Sequence, residues 1–392
     1  MNVFSIIIPA YNEEEAIKNT IETAIIAKEK IIECTAVDEV EIIIINDGST
    51  DNTADIVSSY KVVRLINHET NLGYGVALKT GFANAKGEIL GFHDADGTCD
   101  TERFIDLLDP ILNDGVDITV GRRTDPGTKM PLIRNIGNRF FAALLSFLGR
   151  TEVKDTASGM RVFTTKALEK LHPLPDGLHF TPVMSAKAIF EGLRIVEVPI
   201  PYAERQGKSK LNAIKDGLRF LFSILGVVKI YNPLKLFGIV GFLFIFVALL
   251  YSIDPVIHYV IYGRVGEGVI YRLLTVSFLG ITGSLIILFG ITLNLIVEIL
   301  RGGITRQTKI EKIFCHPRVI KNFFWIGLFL LLIGSLLITP SLIQYIYTRM
   351  ISYNWAYFVL SMFLLTLGIQ FILMRYLVTI VQDLIKFKIL KK

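Results

Sequence analysis

Residues 89–96 read Ile89-Leu90-Gly91-Phe92-His93-Asp94-Ala95-Asp96. An apolar run of four leads into two carboxylates two positions apart. The run has the character of a short buried strand. A strand that ends in acids sets them at a sheet edge, where both can reach one hard cation. A divalent ion held by so few carboxylates fills its shell with phosphate oxygens and water. Asp-x-Asp-Gly is also a turn composition, so it is the preceding strand that gives the pair its weight.

Working outward, the same grammar repeats. Phe4–Ile8 is a β-branched run ending at Pro9, and Tyr11-Asn12-Glu13-Glu14-Glu15 opens a helical pattern with acids at its start. Glu41–Ile45 runs into Asn46-Asp47-Gly48-Ser49, with Ser49 or Asp51 placed to cap a helix. Lys61–Ile66 and Asp117–Val120 are further strands, with helical stretches between. Alternating strands and helices predict an α/β domain on a parallel sheet. Ligand residues then belong at the carboxyl ends of the strands. Pro9, Asp47, Asp94 and Gly121–Arg123 all fall there, which argues for one composite site.

Of the 392 residues, 52% are hydrophobic, above the usual share for a soluble chain. The excess lies after about residue 210. The reading divides the chain into a globular domain over 1–212, an amphipathic interfacial segment over 213–231, and a membrane domain over 232–392. Leu218, Leu221, Phe222 and Leu225 recur at helical spacing among Lys215, Arg219 and Lys229. Four runs, about 235–253, 273–298, 321–343 and 356–382, approach the ~20 residues needed to span hydrocarbon. The connection holding Arg301, Arg306, Lys309, Lys312, Arg318 and Lys321, and the tail holding Lys386, Lys388, Lys391 and Lys392, carry most of the cations. The positive-inside rule puts both, and the globular domain, in the cytoplasm. Arg375 and Asp383 fall toward the cytoplasmic end of the fourth run, within snorkelling reach. The net charge of +5 does not point to nucleic acid as a partner, and three scattered cysteines support neither a zinc site nor a disulfide framework. No secretory signal is visible at the N-terminus.

Several residues could bear chemistry. Asp47 can reach a base or ribose hydroxyl, with Pro9, Tyr11 and Glu13 beside it. Asn71-Leu72-Gly73-Tyr74-Gly75 lacks the Walker lysine and the dinucleotide fingerprint, and reads as a tight start to a helix. Arg122, Arg123, Arg134, Arg139, Arg161, Arg205, Lys208 and Lys210 form a later basic set. Cations between a diphosphate and the bilayer can hold two phosphates, one leaving and one attacking. Asp155 reads either as a base or as the structural partner of an arginine.

The ordered set Ser5-Ile6-Ile7-Ile8-Pro9-Ala10-Tyr11-Asn12-Glu13-Glu14, Asn46-Asp47-Gly48-Ser49-Thr50-Asp51, Asn71-Leu72-Gly73, Asp94-Ala95-Asp96, Glu197-Val198-Pro199-Ile200 and Arg205-Gln206-Gly207-Lys208-Ser209-Lys210 resembles the family-2 inverting glycosyltransferases of GT-A fold. Within them it is most similar to the polyprenyl-phosphate glycosyltransferases of the dolichol-phosphate mannose synthase type. The motifs cover roughly 3–212, and the membrane half resembles four-helix members in layout only.

The resemblance implies a Rossmann-like mixed sheet followed by an α-helical membrane domain. It implies a nucleotide-sugar donor, GDP-mannose ahead of UDP-glucose, and a polyprenyl or dolichyl phosphate acceptor. It puts Mg²⁺ or Mn²⁺ on Asp94 and Asp96. Many members carry Gln where this chain has Thr98, which makes Thr98 a candidate third ligand. Pro9, Tyr11, Glu13, Asp47 and Asp94 would line the nucleotide pocket. Arg123, Arg134, Asn138, Arg205 and Lys210 would meet donor or acceptor phosphate. Asp96, Asp155 and Arg205 are the candidate catalytic set, with Asp155 secondary, because an acceptor phosphate with second pKa about 6 is mostly ionised already. A processive polysaccharide synthase is disfavoured, since neither Trp325 nor Trp355 sits in a Gln-x-x-Arg-Trp motif. A non-catalytic lipid- or nucleotide-binding membrane protein is the other alternative, and homo-oligomerisation stays open.

Overall fold

The computed structural model describes residues 2–125, 130–205, 213–263, 269–301, 316–350 and 355–390. The chain divides into two compact units, Met1–Val227 and Val228–Lys392.

The first unit is built on seven strands: β1 (Val3–Ala10), β2 (Glu39–Asn46), β3 (Arg64–Asn67), β4 (Ile89–Phe92), β5 (Ile118–Arg122), β6 (Arg161–Thr164) and β7 (Ile195–Pro199). Their order is β3-β2-β1-β4-β6-β5-β7. The sheet is therefore mixed: β6 runs antiparallel to both β4 and β5, and the other pairings are parallel. Reading the residues alone gives five parallel strands. The two it misses are β6 and β7. β6 is four residues long and opens on Arg161, a charged residue at a fully buried position.

Between the strands lie α1 (Ile17–Cys34), α2 (Thr53–Ser58), α3 (Tyr74–Asn84), α4 (Phe104–Asn113), α5 (Leu132–Gly149), α6 (Thr165–Leu171) and α7 (Phe180–Phe190). α8 (Ala213–Tyr231) follows β7. The apolar stripe of α1 closes over β2 and that of α4 over β5 and β6, and Phe4, Ile6, Ile8, Ile17, Ile21, Ile42, Ile44, Phe104 and Leu107 share one core. α1 begins later than the acidic run suggests. Asn12 adopts a left-handed φ of 49°, and the Glu13 carbonyl accepts from the amides of Ala16 and Ile17. The three acids thus precede the helix in a turn, which frees their side chains for other elements.

The second unit holds α9 (Pro233–Tyr262), α10 (Ile270–Leu300), α11 (Pro317–Thr348) and α12 (Trp355–Leu390). Four segments, Pro233–Tyr262, Ile270–Glu298, Val319–Thr348 and Trp355–Val381, are long and apolar enough to cross a membrane. They form two hairpins that use the same packing device. A Cβ on Gly241 would lie 2.6 Å from the carbonyl oxygen of Gly283, and one on Gly327 would lie 2.7 Å from that of Gly368. Small residues let these backbones approach, as helices in lipid require.

Candidate active site

Register carries the site together. Phe92 on β4 and Val120 on β5 both pair with Arg161 on β6, and Arg122 pairs with Pro199 on β7. The carboxyl ends of β4, β5 and β7 therefore meet the start of β6 at one sheet edge. Asp94 and Asp96, Arg123, the segment Asp155–Gly159, and Tyr202 to Arg205 all converge there.

The two carboxylates are held by hydroxyls. Asp94 Oδ1 accepts from the Tyr74 phenol at 2.8 Å. Asp96 Oδ1 accepts from Thr98 Oγ1 at 2.6 Å and from the Thr98 amide at 3.2 Å. Burial, with the Asp96 charge beside it, pushes the Asp94 carboxyl up to about 6. Such a pair has an excess of negative charge that a divalent cation would relieve. Two carboxylates plus substrate oxygens match the usual holding of Mg²⁺ or Mn²⁺. Among the described residues, no group of three or more His, Cys, Asp or Glu is placed to hold a metal. The Thr98 hydroxyl donates to Asp96 and so orients that carboxylate.

Arg205 joins distant segments. Its Nη2 donates to Glu13 Oε1 at 2.6 Å, and its Nη1 lies 3.4 Å from Asp96 Oδ2. Its Nε is buried with no acceptor among the described residues. A buried N–H left unmatched beside a carboxylate pair fits an anionic ligand oxygen.

Asp155 is 1% exposed and fully engaged. Its Oδ2 accepts from the Arg123 amide at 3.0 Å and Arg123 Nε at 2.9 Å. Its Oδ1 accepts from Arg123 Nη2 at 3.0 Å, Asn138 Nδ2 at 2.9 Å and the Ala157 amide at 3.2 Å. Burial by itself would raise this carboxyl, but the Arg123 charge and these bonds hold it below the usual range. The Arg123 guanidinium lies 5.3 Å from the Tyr202 ring centre. Arg161 is buried with its Nε and Nη2 on the carbonyls of Ser158 and Thr156, and desolvation lowers it to about 10. It fixes the turn that lays Gly159 against Asp94. A Cβ there would sit 2.2 Å from Asp94 Oδ2.

The other expected residues fall as follows. Pro9 is buried near the end of β1, with Tyr11 just past it. Asp47, at the end of β2, accepts from His68 Nδ1 at 2.7 Å, the Leu72 amide at 3.0 Å and the Gly73 amide at 2.9 Å. Ser49 takes the Asn12 amide and Asp51 the Thr53 amide, so both brace turns. Arg134 stands in the first turn of α5, and Asn138 on the buried side of that helix. Lys210 lies outside the described residues. The sequence does not single out Tyr74 or Gly159 as parts of the site, and it shows Arg161 only as a member of the basic set and not as the anchor of this turn. Tyr74 was visible only as one letter of a glycine-rich stretch.

The outer face of α5 is apolar. Ile133, Ile136, Phe140 and Phe147 are 66%, 60%, 55% and 62% exposed and follow helical spacing. α5 meets α8 through Phe141 and Phe220, whose ring centres are 6.0 Å apart. α8 exposes Ile214, Leu218 and Phe222, again on one stripe.

A carboxylate pair with buried arginines stands at the strand ends of a mixed sheet, and comparison with known proteins defines the family. The profile of Glycosyl transferase family 2 matches residues 5–172. That of a domain of unknown function (DUF8752) matches residues 233–391. A dolichyl-phosphate hexose transferase of Haloferax volcanii is 31% identical over 57% of this chain and 92% of its own length. The UDP-N-acetylglucosamine–dolichyl-phosphate N-acetylglucosaminyltransferase of Methanococcus voltae is 30% identical over 57% of this chain and 96% of its own. The low-salt glycan biosynthesis hexosyltransferase Agl6 of Haloferax volcanii is 29% identical over 61% of this chain, and the match spans 56% of that protein. The chain belongs to glycosyl transferase family 2.

Proposed function

We propose that the chain transfers a hexose from a nucleoside-diphosphate sugar to a polyprenyl or dolichyl phosphate, with inversion at the anomeric carbon. The observation that carries this reading is the Asp94–Asp96 pair with Arg205 against it, at the sheet edge that also collects Arg123. The dolichyl-phosphate acceptors in the names of two relatives support the lipid. Those names mention a hexose and UDP-N-acetylglucosamine. They support a UDP-sugar as donor in this proposal, whereas the motif resemblance alone implies GDP-mannose first.

Asp94 and Asp96 would hold Mg²⁺ or Mn²⁺, which supplies neutralisation of the departing diphosphate. Arg205, released from Asp96 or sharing it, adds a second cation to that diphosphate. The acceptor phosphate needs little deprotonation near neutrality, with second pKa about 6, so alignment and charge dominate over base catalysis. Asp155 is assigned as the anchor of Arg123 and not as a base, because all its acceptor capacity is directed at Arg123, Asn138 and backbone. Thr98 is assigned as the orienting group of Asp96. Asp47 holds the Leu72–Gly73 loop and, with Pro9, Tyr11, Glu13 and Asp94, would line the nucleotide pocket. The exposed apolar stripes of α5 and α8 suit a membrane surface, and α8 runs through Asn232 into the first apolar helix. Both would lie on the cytoplasmic face, with the cation-rich connection and tail.

The test is a transfer assay on the full chain in detergent, with polyprenyl phosphate, Mg²⁺ or Mn²⁺, and each of UDP-glucose, UDP-N-acetylglucosamine and GDP-mannose. One organic-extractable product, lost with chelator and with Asp96→Ala, is expected. Nucleotide-sugar hydrolysis or binding without a lipid product from any donor would sink the proposal.

A further inference from the structure

We infer that Tyr74 is a positioning residue for the carboxylate pair, and that Asp47 serves as the clamp of the loop that presents it. The inference rests on the metal reading given above and deepens it. Tyr74 donates its phenol to Asp94 Oδ1 at 2.8 Å. The other oxygen of Asp94 faces the backbone at Gly159, where even a methyl group would sit 2.2 Å away. Asp94 is thus tethered on one oxygen and walled on the other, which fixes the plane of its carboxylate.

The tether is itself immobilised. Tyr74 is the first residue of α3, and Gly73 before it has a φ of 105°, a conformation that favours glycine. Leu72 and Gly73 donate their amides to the two oxygens of Asp47. On the far side, Gly75 and Val76 donate theirs to the Asp176 carbonyl at 2.7 and 3.2 Å. Space is as tight as the bonding, since a Cβ on Gly75 would lie 2.2 Å from the Pro175 carbonyl oxygen. Asp47 is held from behind by His68 Nδ1, whose Nε2 lies 3.0 Å from Thr80 Oγ1 on α3. A continuous chain of contacts therefore runs from His68 and Asp47 through Gly73 and Tyr74 to Asp94. Thr98 does for Asp96 what Tyr74 does for Asp94. Each member of the pair has a hydroxyl donor of its own, one from the start of α3 and one from the turn after β4.

Hydrogen bonds to ligating carboxylates set their orientation, and removing one typically weakens metal binding about 10- to 100-fold. Tyr74→Phe keeps the ring and deletes only the donor. Mn²⁺ is titrated into the full chain in detergent, with free ion read by electron paramagnetic resonance, and the thermal midpoint is taken in parallel. Asp47→Asn, which leaves both carboxylates in place and loosens the clamp, guards against a misfolded first variant. Asp94→Asn reports on the underlying metal reading. The expected result is Mn²⁺ binding weakened at least tenfold by Tyr74→Phe and in the same direction by Asp47→Asn, near-unchanged thermal midpoint for Tyr74→Phe, and loss of binding in Asp94→Asn. Transfer by Tyr74→Phe should recover at high Mn²⁺, with the change in the metal requirement and not in kcat. Unchanged Mn²⁺ affinity in Tyr74→Phe, with binding lost in Asp94→Asn, overturns the inference and leaves the metal reading standing. Unchanged affinity in Asp94→Asn removes the metal reading, and the inference with it.

Discussion

Asp155→Asn separates an anchoring role from a chemical one. The substitution preserves shape but removes the charge and turns one acceptor oxygen into a donor. One oxygen position faces the Arg123 amide and Nε, and the other faces Arg123 Nη2, Asn138 Nδ2 and the Ala157 amide. Either orientation of the new amide sets N–H against N–H. Arg123, itself buried, loses its counter-charge. Removing one partner of a buried pair costs about 3–5 kcal/mol. In a unit that spans Met1–Val227, each kcal/mol moves the midpoint by about 2–4 °C, so the fall in Tm should be on the order of 6–20 °C. Differential scanning calorimetry of the full chain in detergent measures it. The pH dependence adds a second check. The Asp155 carboxyl is held below its ordinary 3.8, so its stabilisation is complete above that value and fades as pH falls through the depressed pKa. The gap between wild type and variant should therefore close in strong acid. An unchanged midpoint at neutral pH together with abolished transfer would refute the anchoring argument and make Asp155 a participant in the reaction.

Other expectations follow from single contacts. Gly159→Ala forces a methyl to 2.2 Å from Asp94 Oδ2, and a carboxylate displaced by about 1 Å should lower kcat about 10²-fold, whereas undiminished turnover would mean that the wall is not there. In chelator at neutral pH, Asp94→Asn should raise stability by about 1–3 kcal/mol, since burial and Asp96 disfavour the ionised form. Because that carboxyl is raised from 3.8 to about 6, its penalty grows as pH rises across this interval, and the gain should be absent below it; a variant less stable than wild type at neutral pH would contradict this sign. Ile136→Asp combined with Phe140→Asp should reduce transfer to a long-chain acceptor in bilayers without altering Mn²⁺ affinity, and full activity there would remove α5 from the membrane surface.

Much of this protein was legible in local patterns. Ile89–Phe92 running into Asp94 and Asp96 marks a buried strand and the acids at its end, because both features depend on neighbours in sequence. The β-branched runs at Phe4–Ile8 and Glu41–Ile45 are strands for the same reason, and the four long apolar runs declare themselves by length and composition alone. The resemblance also pointed to Arg123, Asn138 and Arg205, and the residues themselves to Asp155. What the letters did not assign was their partners. Asp155 reads equally as base or anchor until Arg123 and Asn138 are seen on both its oxygens. Asp47 reads as a nucleoside contact, and its bonds to the Leu72 and Gly73 amides are found only in the fold. Glu13 reads as a helix-start acid until Arg205, far along the chain, is found against it.

The sequence by itself determined five of the seven strands, the four spans and the chemical types at the strand ends, since strand and span formation follow from periodicity and burial of apolar side chains. Only the tertiary structure decided the antiparallel insertion of β6, which pairs Arg161 with both Phe92 and Val120 and so brings the Asp155–Gly159 turn against Asp94. That choice comes from long-range register and from satisfying a buried guanidinium with the carbonyls of Thr156 and Ser158. Neither of those is a local property of the letters, and both set which oxygens of the site remain open to a ligand.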